Sequence, residues 1–135
     1  MNGWTIDHVA IVVGDLDATL RLYTQTLGFA QLYRETVADQ GVEAVGIRSG
    51  DSVIELLRPL DAESAIAKFR GEAATKLHHI AYRVDNCAET LEAVKASGAR
   101  VIDDVPRPGS RNTIVAFVHP KSSFGTLIEL VQESD

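Results

Sequence analysis

The chain has 135 residues, a formal net charge of −6, and 45% hydrophobic against 24% charged residues, the make-up of a folded globular domain. One cysteine, Cys87, excludes an intrachain disulfide framework and is expected to pack as a small buried residue in a reducing compartment. The acidic balance argues against a nucleic-acid partner, and no apolar run is long enough to cross a bilayer. Met1-Asn2-Gly3-Trp4 lacks a basic-then-apolar leader, so a cytoplasmic location is expected.

Residues 5–13 predict a strand buried on both faces, with Ile6, His8, Ala10 and Val12 on one side and Val9, Ile11 and Val13 on the other. Gly14 ends it and Asp15 is placed to cap a helix. Leu16, Leu20, Tyr23 and Leu27 recur at helical spacing, and Gly28 supplies the stop. Strands follow at 29–35, 43–49 and 52–58, the last two joined by a tight Gly50-Asp51 hairpin. A connecting segment, 59–76, holds a short helix at 63–69. A second series then opens with a strand at 77–84 and a helix at 87–96 ended by Gly98. Further strands are expected to begin at Val101-Ile102 and to run over 113–119 and 126–132. Pro106, Pro108 and Gly109 make 105–112 the longest irregular loop. The order is βαβββ twice, in one domain over 1–135, with modules at about 5–58 and 77–132 joined by 59–76.

The two series match in chemistry as well as order. Ile6-Asp7-His8-Val9-Ala10 returns 71 residues on as Leu77-His78-His79-Ile80-Ala81. Val53-Ile54-Glu55-Leu56-Leu57 returns 74 residues on as Leu127-Ile128-Glu129-Leu130-Val131. Each half therefore carries one histidine and one glutamate on otherwise apolar strands. An ionised carboxylate among apolar neighbours is unfavourable by several kcal/mol unless something neutralises it. A dication would neutralise two, and two imidazoles with two carboxylates leave two positions of an octahedral shell for water or substrate oxygens. His8, Glu55, His79 and Glu129 are thus the expected ligands, for Co, Ni, Zn, Mn or Fe rather than Ca or Mg. His78 has the wrong parity and is expected to be structural.

The duplicated βαβββ pattern with metal-bearing strands resembles the vicinal oxygen chelate superfamily, the glyoxalase, bleomycin-resistance and dioxygenase proteins. Within it the chain is similar to the methylmalonyl-CoA epimerase family. The motifs that carry the likeness are Asp39-Gln40-Gly41-Val42, Ile54-Glu55-Leu56-Leu57-Arg58-Pro59-Leu60, Ser64-Ala65-Ile66-Ala67-Lys68-Phe69 and His119-Pro120-Lys121-Ser122. The resemblance implies an α+β fold in which tandem βαβββ modules form a cupped mixed sheet. It also implies an isomerase that interconverts the (2R) and (2S) forms of methylmalonyl-CoA through a metal-stabilised enolate. One divalent metal per chain goes with it, Co first and Zn, Ni or Mn as alternatives, and a homodimer with an acyl-CoA substrate. Carried over residue by residue, the ligands are the same four, and Glu129 is the expected catalytic acid–base.

A second acid–base is expected on the opposite face of the substrate. The family position for it is occupied here by Ala44, with Glu43 one residue earlier as a weaker candidate. Lys121, Ser122 and Arg111 are expected near the CoA moiety, Arg107 is a further cation on the same loop, and His119 should be a structural hydrogen-bonding residue. The rival readings are a glyoxalase I-like lactoylglutathione lyase and a non-catalytic small-molecule-binding protein of the resistance type. An extradiol dioxygenase fits less well, since it uses one carboxylate with its two histidines. For a homodimer face the sequence offers Ile66 and Phe69.

Overall fold

The computed structural model describes residues 2–134, which form two compact units. One holds residues 9–78. The other joins residues 79–134 to the N-terminal segment ending at His8. The described residues contain eight strands and three α-helices in the expected βαβββ order, an α+β fold.

The unit of residues 9–78 contains most of β1 (Thr5–Val13), then α1 (Leu16–Arg21), β2 (Gln31–Val37), β3 (Val42–Ser49), β4 (Ser52–Pro59) and α2 (Ala65–Arg70). Its strands lie in the order β2-β3-β4-β1. The β3–β4 hairpin turns at Gly50, whose φ of 60° is the left-handed conformation that glycine adopts freely. Asp15 caps α1 by accepting from the Ala18 N–H at 3.0 Å, and Ser64 caps α2 through Ala67 N–H at 3.2 Å. Val13, Leu16, Val45, Ile47 and Leu56 form one core cluster, with Leu20 and Tyr23 packed on it. Each such fully buried aliphatic side chain contributes roughly 1.5–3 kcal/mol.

The first helix departs from expectation. It ends as α-helix at Arg21 and continues as a π-turn over Leu22–Thr26. The Thr24 hydroxyl donates to the Leu20 carbonyl at 2.8 Å, competing for a helix acceptor, and Leu27 N–H reaches back to Leu22 O instead. The two residues suggested for a dimer face are engaged within their own unit. Ile66 packs on the cluster of Ala10, Val37, Val42, Ala44 and Leu57, while Phe69 lies edge-on to His78 and beneath the Lys76 ammonium.

The other unit contains the end of β5 (Thr75–Arg83), then α3 (Cys87–Ala96), β6 (Arg107–Pro108), β7 (Ile114–Val118) and β8 (Ile128–Gln132), with strand order β5-β8-β7-β6. β5 and β8 are parallel and the other two pairings antiparallel, so the strands are mixed as expected. Asn86 caps α3, and Val84, Cys87, Leu91, Ala116, Val118 and Leu130 make the core. Cys87 is fully buried there, as expected. Burial first, then the charges of Glu129 and Asp103, push its thiol up to about 11.

Three sequence expectations are corrected. Val101 makes one isolated bridge to Val118 rather than opening a strand. The segment 105–112 is not wholly irregular, because Arg107–Pro108 pairs with the start of β7, at an edge where proline's missing N–H does no harm. The last strand begins at Ile128, two residues later than expected, after Phe124 and Gly125 take left-handed conformations. The structural partition also cuts β1 at His8, which groups with the second half of the chain.

Candidate metal centre

Strand register brings the centre together within the unit of residues 79–134 and the N-terminal segment. The parallel β5–β8 ladder sets Ala81 beside Glu129, and β7 sets Phe117 opposite the same glutamate. His79, two residues before Ala81, therefore shares Glu129's face. Its ring meets Phe117 edge-on, with centroids 5.2 Å apart. His8 at the end of this unit's share of β1 presents its ring at 77° to that of His79. The three side chains are each about 2% exposed.

Their donor atoms converge. His8 Nε2 lies 3.1 Å from His79 Nε2, and Glu129 Oε1 lies 3.1 Å from the first and 3.2 Å from the second. Although buried, this oxygen accepts no well-aligned hydrogen bond among the described residues. Adjacent ligands about 2.1 Å from a common ion stand about 3.0 Å apart in an octahedral shell and about 3.4 Å apart in a tetrahedral one. The separations, the unsatisfied oxygen and the mix of imidazole with carboxylate all fit a divalent transition metal. Burial pushes the Glu129 carboxyl up, but the imidazoles of His79 and His8 outweigh it and hold the group down at about 2. It is an anion at neutral pH.

Asp7 is a site residue that sequence reasoning passed over. It has no exposed surface. Its Oδ2 stands 2.7 Å from His8 Nδ1 and also accepts from Arg111, while its Oδ1 accepts from Arg83 Nη2 at 3.0 Å and Nε at 3.2 Å. Burial raises this carboxyl, but His8 and Arg111 together hold it well below the usual range. A carboxylate can only accept, so Nδ1 of His8 carries a proton, and once the ring is neutral its Nε2 is the atom that presents a lone pair to the centre. A charged residue within the apolar run of β1 was the available signal.

The remaining sequence candidates fall elsewhere. Glu55 lies on β4 in the other unit, 3% exposed, where its Oε2 accepts from the Tyr33 hydroxyl at 2.7 Å. Tyr33, Gly46 and Glu55 stand in register across β2, β3 and β4. A Cβ at Gly46 would fall within the Tyr33 ring, so the missing side chain is what lets the phenol cross β3 to Glu55. Glu43 is on the opposite face of β3, because Gly46 and not Glu43 shares the row of Glu55. It is gripped by Arg34 at 2.8 Å and Arg58 at 2.9 Å. The structure thus argues against the catalytic role suggested for Glu43, whose carboxylate is an ion-paired surface group.

Lys121 is exposed, whereas the Ser122 hydroxyl accepts from Arg100 N–H at 2.7 Å and Arg111 serves Asp7. Arg107 pairs with Asp103 at 3.2 Å and lies over the Phe117 ring. His119 organises its turn, accepting from Lys121 N–H through Nδ1 and from Ser122 N–H through its carbonyl. His78, on Phe69, is structural as expected.

A duplicated βαβββ chain with a buried His-His-Glu cluster defines a class, and comparison gives it a name. Residues 7–117 match the model of the "Glyoxalase/Bleomycin resistance protein/Dioxygenase superfamily". An ethylmalonyl-CoA/methylmalonyl-CoA epimerase of Cereibacter sphaeroides is 38% identical over 94% of this chain and 96% of its own length. A solved Streptomyces coelicolor methylmalonyl-CoA epimerase variant, in complex with 2-nitronate-propionyl-CoA, superposes with a TM-score of 0.89. It shares 34% identity and covers 96% of this chain and 97% of that one. A lactoylglutathione lyase of Escherichia coli O157:H7 is less similar, at 29% identity over 95% of this chain and 92% of its own. The chain belongs to the superfamily and, within it, to the group of the methylmalonyl-CoA epimerases, isomerases that act on an acyl-CoA.

Proposed function

We propose that the protein is a metal-dependent epimerase that interconverts (2R)- and (2S)-methylmalonyl-CoA by exchanging the α-proton. The observation that carries this reading is the buried convergence of His8, His79 and Glu129 in a chain so similar to epimerases of that substrate. These three residues would hold the ion, with Glu55 the proposed fourth ligand and Co²⁺ the proposed metal ahead of Zn²⁺, Ni²⁺ or Mn²⁺. When bound, a divalent ion supplies Lewis acidity toward the thioester and carboxylate oxygens and lowers the energy of the enolate left by proton loss.

The chain's own residues account for the rest. The Glu129 carboxyl, buried between the two imidazoles, is the proposed base. Phe117 and Ala81 flank it in the ladder and keep bulk water from the carboxylate. Lys121, exposed on the turn after β7, is the cation proposed for the CoA phosphates. Glu43 takes no part, for the reasons of face and ion pairing given above. The reading carries with it a homodimer in the cytoplasm. No helix among the described residues is long and apolar enough to cross a membrane.

The test is proton exchange. Co²⁺-loaded protein in D₂O should place deuterium at the α-carbon of methylmalonyl-CoA while equilibrating the two epimers, followed by NMR. Absence of exchange in metal-loaded protein removes the epimerase. A parallel assay with the glutathione–methylglyoxal adduct addresses the second reading, a lactoylglutathione lyase, which the weaker likeness to that enzyme favours.

A further inference from the structure

The proposed reaction gives no task to the fully buried carboxylate of Asp7, or to the loop that reaches it. That loop is built with care. Gly109 N–H donates to Thr113 O at 3.0 Å, and Thr113 N–H and hydroxyl both donate to Ser110 O, at 3.1 and 2.6 Å. A side chain at Gly109 would run into Val115 and Thr113. Within this tight frame Arg111 and Asn112 both adopt left-handed backbone, with φ of 53° and 56°, a conformation asparagine tolerates but arginine seldom holds. The outcome is that the Arg111 guanidinium meets the same Asp7 oxygen that faces His8 Nδ1, while Arg83 takes the other oxygen.

We infer that Asp7 is a positioning residue of the centre, fixing the tautomer and ring orientation of His8, and that Arg111 from the strained loop clamps Asp7 for that task. The inference rests on the metal reading above. The two arginines share the carboxylate, so it can turn neither its charge nor its plane away from His8. His8 then offers Nε2, not Nδ1, toward His79 and Glu129. Hydrogen-bonded partners of this kind typically change metal affinity ten- to a hundredfold when removed. Arg111 is thereby assigned to the protein rather than to the CoA moiety.

The experiment is titration of metal-free protein with Co²⁺, read by visible absorption and by competition with a chelator. Parent protein that binds no Co²⁺ overturns the metal reading and this inference together. If it binds, Asp7→Asn is expected to weaken Co²⁺ affinity about ten- to a hundredfold and to alter the absorption bands. Arg111→Met is expected to weaken it less, with the KM for methylmalonyl-CoA unchanged. A merely structural Asp7 would lower the melting temperature of the metal-free chain and leave the affinity of the folded protein alone; that result overturns the inference. So does Arg111→Met with intact Co²⁺ affinity and a raised KM, the behaviour of a CoA contact. Should Asp7→Asn not fold, Arg111→Met decides by itself, since its side chain is on a surface loop and partly exposed.

Discussion

Glu129 is the residue on which charge and chemistry meet. Its carboxylate has two imidazoles within 3.2 Å, and its buried Oε1 has no aligned donor among the described residues. Glu129→Gln keeps the shape and removes both the anion and the base. We expect deuterium exchange to fall at least about 100-fold while circular dichroism and a cooperative melt persist, at a melting temperature lowered by loss of the carboxylate's contacts with the two imidazoles. Near-normal exchange would remove Glu129 from the reaction. Glu43 supplies the contrast. Arg34, and then Arg58, hold its carboxyl below the usual value. With a depressed folded value, its ion pairs stabilise fully above about pH 4.5 and fade as acid titrates the folded carboxylate. Glu43→Gln should therefore leave turnover within about twofold and remove the ion-pair stabilisation that is present above about pH 4.5. A large loss of turnover at neutral pH would restore Glu43 to the mechanism.

Among elements, the β2–β3–β4 row of Tyr33, Gly46 and Glu55 makes the sharpest demand on sequence. Tyr33→Phe removes one hydrogen bond to a buried carboxylate and should lower stability by about 1.5–3 kcal/mol in urea unfolding. Gly46→Ala instead forces the ring aside, and overpacking of this kind costs about 1–3 kcal/mol. In the double variant the two losses should fall short of their sum by the hydrogen bond that both disrupt; full additivity would show that Gly46→Ala leaves the phenol on Glu55. Much at this scale was legible beforehand. Period-two alternation located β1, β3, β4 and β5 to within two or three residues, and Asp15 was recognisable as a cap. The π-turn was not, since apolar residues at helical spacing look the same whether Leu27 N–H reaches back four residues or five. Nor was β6, a two-residue strand whose existence depends on its partner β7.

For the whole molecule, an ion bound to the folded state alone must raise its stability by mass action. Co²⁺ at about 100 times its dissociation constant should add about 2.7 kcal/mol, reversibly with EDTA. A melting temperature indifferent to Co²⁺ would deny the centre. Duplication with matched parity made His8, Glu55, His79 and Glu129 readable as candidates, because internal symmetry is written in the chain. The support of His8 was unreadable, because Arg83 and Arg111 come from 76 and 104 residues further on and no spacing connects them to Asp7. That separation has a consequence for synthesis. The unit that carries the cluster opens with the segment ending at His8 and closes only with the strand that bears Glu129. On the ribosome, residues 9–78 emerge before the strand that bears Glu129, so the strand end bearing His8 waits for that strand. Any ion held by the cluster is therefore gathered only after Glu129 has been made, and a polypeptide released before that point would lack this ligand.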